Sequence, residues 1–475
     1  ILPGMCDAHC HPSISASFHI GCNLFGLYVQ EGQDAQEITD KYMERLEEYI
    51  KRHEEDELIR GIGWVKSNYT DDSMPTRHDI DRICSDRPVI LESFCQHNLW
   101  VNTKALEIAG IDENYPDPRA GTIYRGKDGY PTGVFSEPEA MDAIKMRVPG
   151  YDFTVGKYKE AIKIYQASDA SKYGVTLVQD CMCSDNAIEA YSQLAKEGDL
   201  KIRVRGVNML TPKSHDEELK QFTAEKGSKN HGDVFRIDTV KIFAEGGFAL
   251  NEPYEPDFLR ENCLEEGYRG EGFWEDKELQ DSMEEAMKAG FDIHVHAMGD
   301  ASVKQSARCL SNSQKKTGIR GRNVIAHLML VDDESVSIMS EAGIMGNCQP
   351  RWMVYDSDIA AMVPMMGEER AVSAYPYRKL LDRNIRVAFG TDFPVTPPPN
   401  PFHEIQCAMT RQVFPDALDY EAFKGRVLGN ERPATLLEAI QSLTINGAYQ
   451  MNLEDLTGSI EIGKSADLAI LDSDL

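Results

Sequence analysis

From about residue 156 the chain repeats one pattern, an amphipathic helix followed by a short strand-like run. Helical stretches at 156–172, 185–197, 215–226, 276–289, 300–313, 332–341 and 368–382 lead into runs at 174–180, 202–207, 238–243, 291–296, 323–328, 344–349 and 385–392. Strand alternating with helix implies parallel strands, because each helix returns the chain to the same edge of the sheet. One more strand-like stretch, Cys6-Asp7-Ala8-His9-Cys10-His11-Pro12, precedes the series. Eight parallel strands is the number that closes an α/β fold into a (β/α)8 TIM barrel. An open doubly wound sheet is the alternative. No Gly-x-Gly-x-x-Gly follows a strand, which weakens a dinucleotide-binding version of it.

The stretch between the first strand and the repeats follows another rhythm. Ile38, Tyr42, Leu46 and Ile50 recur every four residues from Asp34 to His53, which predicts a helix. Residues 59–64 and 88–93 read as strands, with a polar loop at 68–81 between them. His97 to Asn102 leads into a short helix near 104–108, and residues 111–133 are rich in Gly, Pro, Asp and Tyr, which marks a loop or hairpin. The expected organisation is therefore 1–55 as the barrel start, 56–145 as an inserted α+β subdomain, and 146–450 as the rest of the barrel. Residues 451–475 contain a short strand, a glycine turn and a second short strand between Gly458 and Leu471. Two short strands do not make a stable unit alone. They need partner strands from outside this segment, and the chain, which opens at Ile1 almost on a strand, reads as truncated at both ends.

Charge narrows the partners. Against 50 Lys and Arg stand 78 Asp and Glu, a net charge of -28. That argues against nucleic acid and against anionic membrane surfaces. No apolar run approaches the ~18 residues of a spanning helix. The 11 cysteines are odd in number and include no Cys-x-x-Cys, so reduced thiols in a cytoplasmic protein are expected.

Barrel active sites lie at the C-terminal ends of the strands, and the polar residues there form a pattern. The first strand ends in His9 and His11, which share a face because side chains alternate along a strand. The fourth carries Lys241 in an apolar run, the fifth His294 and His296, the sixth His327, and the eighth Asp392. Imidazole and carboxylate at matched positions suit Zn2+, one or two ions, or another divalent metal. Lys241 is a buried lysine by context, and such residues are rare unless paired or modified. Its amine can take up CO2 as a carbamate, an anionic oxygen ligand able to bridge two metals. Of the fifth-strand pair, His296 lies nearer the strand end, before Ala297-Met298-Gly299-Asp300, and is preferred. Ordinary readings stand beside these: a lysine snorkelling to a strand end, a core imidazole at 327, a turn carboxylate at 392. Five histidines at strand ends, out of 12 in 475 residues, favour the metal.

Bound zinc lowers the pKa of water to about 7 and so supplies hydroxide at neutral pH. Candidate substrate contacts are His97, Trp100, Asn102, Gln349, Arg351 and Trp352. Trp100 also reads as a core residue, and Arg351 as an ordinary surface arginine or a carboxylate grip.

The segments Leu2 to His11, Val240-Lys241-Ile242-Phe243, His294 to Asp300, Ile325-Ala326-His327-Leu328, Gln349-Pro350 and Gly390-Thr391-Asp392-Phe393-Pro394 together resemble the amidohydrolase superfamily, in its amidohydrolase-3 branch of YtcJ-like proteins and N-substituted formamide deformylases. His97 to Asn102 and Gly458 to Leu471 also look like this branch. The resemblance implies a metal-dependent hydrolase acting on carbon–nitrogen bonds other than peptide bonds, with a barrel and a small β-sandwich made from both chain ends. It implies that His9 and His11 bind one metal, carboxylated Lys241 bridges, His296 and His327 bind a second, and Asp392 is the base. In related D-aminoacylases a cysteine after the second strand bridges instead, and Cys181 and Cys183 lie at about that place. Lys241 is preferred because its segment matches the branch. The expected reaction is hydrolysis of an N-acyl or N-formyl amine, with a small-molecule substrate and a homodimer as the assembly. A deaminase of a heterocyclic ring and a non-catalytic metal-binding barrel are the alternatives.

Overall fold

The computed structural model describes residues 1–27, 34–70, 72–118, 121–212, 214–246, 253–261, 264–417 and 419–473. These form two compact units, one of residues 1–11 with 166–475 and one of residues 12–165.

The first unit is the barrel. Its strands are β1 (Met5–Cys10), β2 (Val175–Asp180), β3 (Arg203–Leu210), β4 (Phe235–Phe243), β5 (Asp292–Ala297), β6 (Val324–His327), β7 (Met345–Cys348) and β8 (Val387–Phe389). Each pairs in parallel with the next in sequence, so the order around the sheet is the order along the chain. The register sets Lys241 beside His294 and Ala297 beside His327. The β8–β1 seam is closed just past β8. There the Asp392 N–H donates to the His9 carbonyl at 2.8 Å, and the His11 N–H donates to the Phe393 carbonyl at 2.7 Å. Gly390 permits this approach, since a Cβ there would lie 2.5 Å from His9 N and 2.6 Å from His9 O.

Local chemistry sets the intervening helices. Asp185–Glu197 begins at Ser184, whose side chain accepts the Ala187 N–H, and ends at Gly198 in the left-handed region, φ 74°. Asp300–Thr317 is held at its N-terminus by Glu245, a buried carboxylate that accepts the N–H groups of Met298 and Gly299. The stretch 368–382, expected as one helix, is two, Glu368–Val372 and Tyr377–Asp382, because Pro376 and a left-handed Tyr375 (φ 55°) interrupt it. Leu2–Pro3 pairs antiparallel with Leu468–Ala469. The strand expected just after Gly458 does not form: Ile460 and Ile462 are exposed and pair with no strand among the described residues. No helix among the described residues is long and apolar enough to cross a membrane.

The second unit is a mixed six-stranded sheet in the order Cys22–Asn23, Ile59–Trp64, Val89–Ser93, Asn98–Val101, Pro131–Ser136, Thr122–Arg125. The helix Ala35–Arg52 buries Ile38, Tyr42, Met43 and Leu46 in one core with Trp64, Leu91 and Trp100. By pattern this helix belongs to the barrel start; by packing it belongs here. The two compact units divide at 11/12 and 165/166. The stretch 68–81 contains a short helix, Arg77–Asp81, capped by Thr76 and Asp79, and the 111–133 region supplies the first strand and the turn of the hairpin.

The seam makes a direct prediction. The atoms that a side chain at 390 would meet are backbone and cannot rotate away, so Gly390→Ala should cost about 3 kcal/mol or more. Urea unfolding reads this as a lowered midpoint, and a midpoint equal to the parent's would show that the seam is not tightly closed.

Candidate metal centre

The ends of β1, β4, β5, β6 and the turn after β8 converge on one buried cluster. His11 Nε2 lies 3.0 Å from Asp392 Oδ1, and His9 Nε2 lies 3.3 Å from the same oxygen. Lys241 Nζ is 3.3 Å from His9 Nε2. The other nitrogen of that ring, His9 Nδ1, is 2.8 Å from His294 Nε2. The His327 ring lies 4.7 Å from that of His9 and 4.5 Å from that of His296. His327 and Asp392 both occupy the left-handed backbone region, at φ 75° and 57°. Non-glycine residues adopt it at a cost that the surrounding structure must offset, and such positions concentrate at functional sites.

Among the described residues, two donor sets are close enough for one ion: His9 with His11 and Asp392, and His9 with His294 and Cys181, each spanning no more than 4.8 Å. Zinc bonds of about 2.0–2.3 Å need only slight inward movement from such a span. The fit rests on the chemistry of the donor set, buried imidazole nitrogens with one carboxylate, which are ligand types zinc takes. Of the β5 pair, His294 meets His9, while His296 adjoins His327 and the Phe243 ring at 4.8 Å. Spacing along the strand signalled both histidines, because residues two apart share a face. Of the two cysteines, the buried Cys181 reaches this cluster, whereas the Cys183 thiol donates to the Asp180 carbonyl at 3.6 Å.

Burial governs the protonation states. It holds His9 and His294 well below the ordinary imidazole range, with the Lys241 charge acting in the same direction. It lowers His327 to about 4. These rings are neutral at pH 7, the state in which imidazole ligates a metal. Burial also lowers Lys241, which favours the free amine. Burial alone would raise Asp392, but hydrogen bonds from His11 and His9 outweigh it and keep the group ionised. Asp7 links the two motifs that flank the seam: its carboxylate accepts the Thr391 N–H at 2.9 Å and the Thr391 hydroxyl at 2.6 Å. Burial pushes Asp7 up to about 6.

The remaining sequence candidates take various places. Gln349 sits against His327, with Oε1 2.9 Å from His327 Nδ1. Trp352 stacks on the His327 ring at 5.3 Å and 18°, and its indole N–H donates to Thr396 Oγ1. The Arg351 guanidinium donates to the carbonyls of Thr396 and Pro398, so it ties down the loop after β8. His97, Trp100 and Asn102 belong to the second unit. There His97 Nδ1 lies 3.0 Å from Glu137 Oε2. Trp100 is buried against Trp64 and donates to the Thr76 carbonyl. Asn102 accepts the N–H groups of Val89 and Ala105, capping a helix.

With this geometry established, comparison with known proteins places the chain. Residues 1–475 match the model of the amidohydrolase family. The chain belongs to that family. YtcJ of Bacillus subtilis, named as an amidohydrolase, is 26% identical over 100% of this chain and 84% of its own length. The N-substituted formamide deformylase of Arthrobacter pascens is 23% identical over 100% of this chain and 83% of its own. Among solved structures, an uncharacterized metal-dependent hydrolase from Pyrococcus furiosus superposes with a TM-score of 0.72 at 25% identity, covering 99% of this chain and 87% of that one.

Asp7 gives a pH prediction. Its carboxyl titrates near 6 when folded and near 3.9 when unfolded. Below pH 4 both states hold the proton. As pH rises through 6 the folded state must release it from a buried site, and roughly 3 kcal/mol of stability is lost. Asp7→Asn keeps the shape without the ionisation, so its stability relative to the parent should improve from pH 4 to pH 7 in chemical denaturation. A difference that stays flat across that range would show that Asp7 titrates normally.

Proposed function

We propose that the chain is a metal-dependent hydrolase that cleaves the C–N bond of an N-acyl or N-formyl amine. The observation that carries this reading is one carboxylate oxygen, Asp392 Oδ1, shared by His9 and His11 beside Lys241, in a buried cluster of imidazoles. His9 and His11 with Asp392 would hold Zn2+, and Lys241, as its carbamate, with His296 and His327 would complete a site for a second ion. The metal supplies Lewis acidity, which polarises a carbonyl and acidifies water.

The protein groups do the rest. Asp392, fixed by His11, accepts the proton of the attacking water as its oxygen bonds to the carbonyl carbon. As the C–N bond breaks, Asp392 returns that proton to the departing nitrogen, and the products are a carboxylic acid and an amine. Trp352, flat against His327, forms an apolar wall beside the reacting centre. The formyl or acyl amine as substrate rests on the full-length relationship to a formamide deformylase.

The test is a panel of N-formyl amines, N-acyl amines, lactams and aminated heterocycles, offered to the zinc-loaded chain. Release of amine together with formate or another carboxylate is expected. Ammonia released from ring substrates alone would replace this reading by deamination. Asp392→Asn should lower kcat by 10^2-fold or more, by the usual size of a lost general base, roughly 10^2–10^4, and His9→Ala should lose bound metal by elemental analysis. Activity unaffected by either change would remove the site assignment.

A further inference from the structure

Four buried amide side chains run from His327 to the backbone of β1. Gln349 Oε1 lies 2.9 Å from His327 Nδ1, and Gln349 Nε2 lies 2.9 Å from Asn347 Oδ1. Asn347 Nδ2 is 3.1 Å from the Ala8 carbonyl and 3.1 Å from Gln450 Oε1. Gln450 Nε2 is 2.7 Å from the same carbonyl and 2.6 Å from Gln179 Oε1. All four side chains are buried. Gln450 ends the helix Ile445–Gln450, which lies so close to β1 that a Cβ on Gly447 would be 2.6 Å from Cys6 Cβ.

The direction of every bond follows from one fixed group. The Ala8 carbonyl can only accept, and its two lone pairs meet Asn347 and Gln450. Both amides must therefore turn their NH2 groups to it. That leaves Asn347 Oδ1 facing Gln349, so Gln349 must present its own NH2 there. Gln349 Oε1 is then left for His327, which must supply a hydrogen at Nδ1. A reversed amide anywhere along the chain would set two acceptors or two donors against each other in a dry interior, at a cost of roughly 1–3 kcal/mol per unmade bond.

We infer that Asn347, Gln349 and Gln450 are positioning residues that hold His327 as its Nδ1–H tautomer, with the lone pair on Nε2. This fixes the protonation pattern of a ring held at a left-handed backbone position. For the use of that lone pair by a metal, the inference rests on the proposed function; for the tautomer itself it does not. Partners of this kind are known to set the tautomer and orientation of ligating histidines. Gln349, whose oxygen and nitrogen are both engaged in the chain, acts on the site through His327.

The test uses the full metal-free chain labelled with ring-15N histidine, with the His327 signals assigned by their loss in His327→Asn. His327 should show an N–H-type Nδ1 and a lone-pair-type Nε2, and the reverse pattern overturns the inference. Gln349→Met keeps the volume and removes the acceptor. It should mix the tautomers and weaken Co2+ binding about 10- to 100-fold, by competition with a chelator. Gln349→Glu, which retains an acceptor for Nδ1, should keep the Nδ1–H form. If Gln349→Met fails to fold, Gln450→Met should produce the same mixing to a smaller extent. An unchanged tautomer in the folded methionine variant, whatever its Co2+ affinity, refutes the positioning role. The expected tautomer in a parent chain that binds no Co2+ would refute the metal reading and leave this inference intact.

Discussion

The hydrogen bond from the Asp392 N–H to the His9 carbonyl is the contact on which the rest of this site depends. It joins the last strand of the barrel to the first and sets the proposed base beside the first pair of histidines. The same seam is held by the two bonds from Thr391 to Asp7 and is made possible by the missing side chain at Gly390. The two motifs lie more than 380 residues apart, as His11 and Asp392 do at 381. Closure of the barrel and assembly of the cluster are therefore one event.

The cluster would be expensive if its groups were charged. Several imidazoles and an amine packed within ring-contact distance repel one another when protonated, and burial removes the solvent that would relieve them. Burial resolves the conflict by keeping His9, His294 and His327 neutral, while Asp392 stays ionised through its bonds to His11 and His9. A site in that condition has lone pairs and a single negative charge to offer, which suits a cation better than any neutral or anionic guest.

Strand alternation along β1 and β5, and the periodic return of helix then strand, made the barrel and its polar strand ends legible in the sequence, because those signals depend only on neighbours along the chain. What the sequence hides depends on partners far away. Nothing local says which of His294 and His296 meets His9, since both share a face and the register with Lys241 decides. Nothing local says that Trp100 packs on Trp64 or that Asn102 caps a helix. The helix Ala35–Arg52 looks the same whichever core receives Ile38 and Leu46, so its unit could not be read from its pattern. Gln349 was visible as a polar residue near a strand end, but its bonding to His327 needed the neighbouring strand β6 in place beside β7.

The division of the barrel between residues 1–11 and 166–475 bears on how the molecule is made. Strand β1 precedes the other seven barrel strands in the chain, its neighbours β2 and β8 come much later, and the second unit lies in between. Contacts of such sequence separation are entropically late, because the intervening chain must be organised before they are rewarded. Strands β2 to β8 can zip in order, each beside the one before it, but the groove for β1 exists only when β8 has arrived. The histidines of the first strand meet Lys241, His294 and Asp392 only in the closed barrel, so the donor sets exist only once these distant strands have come together.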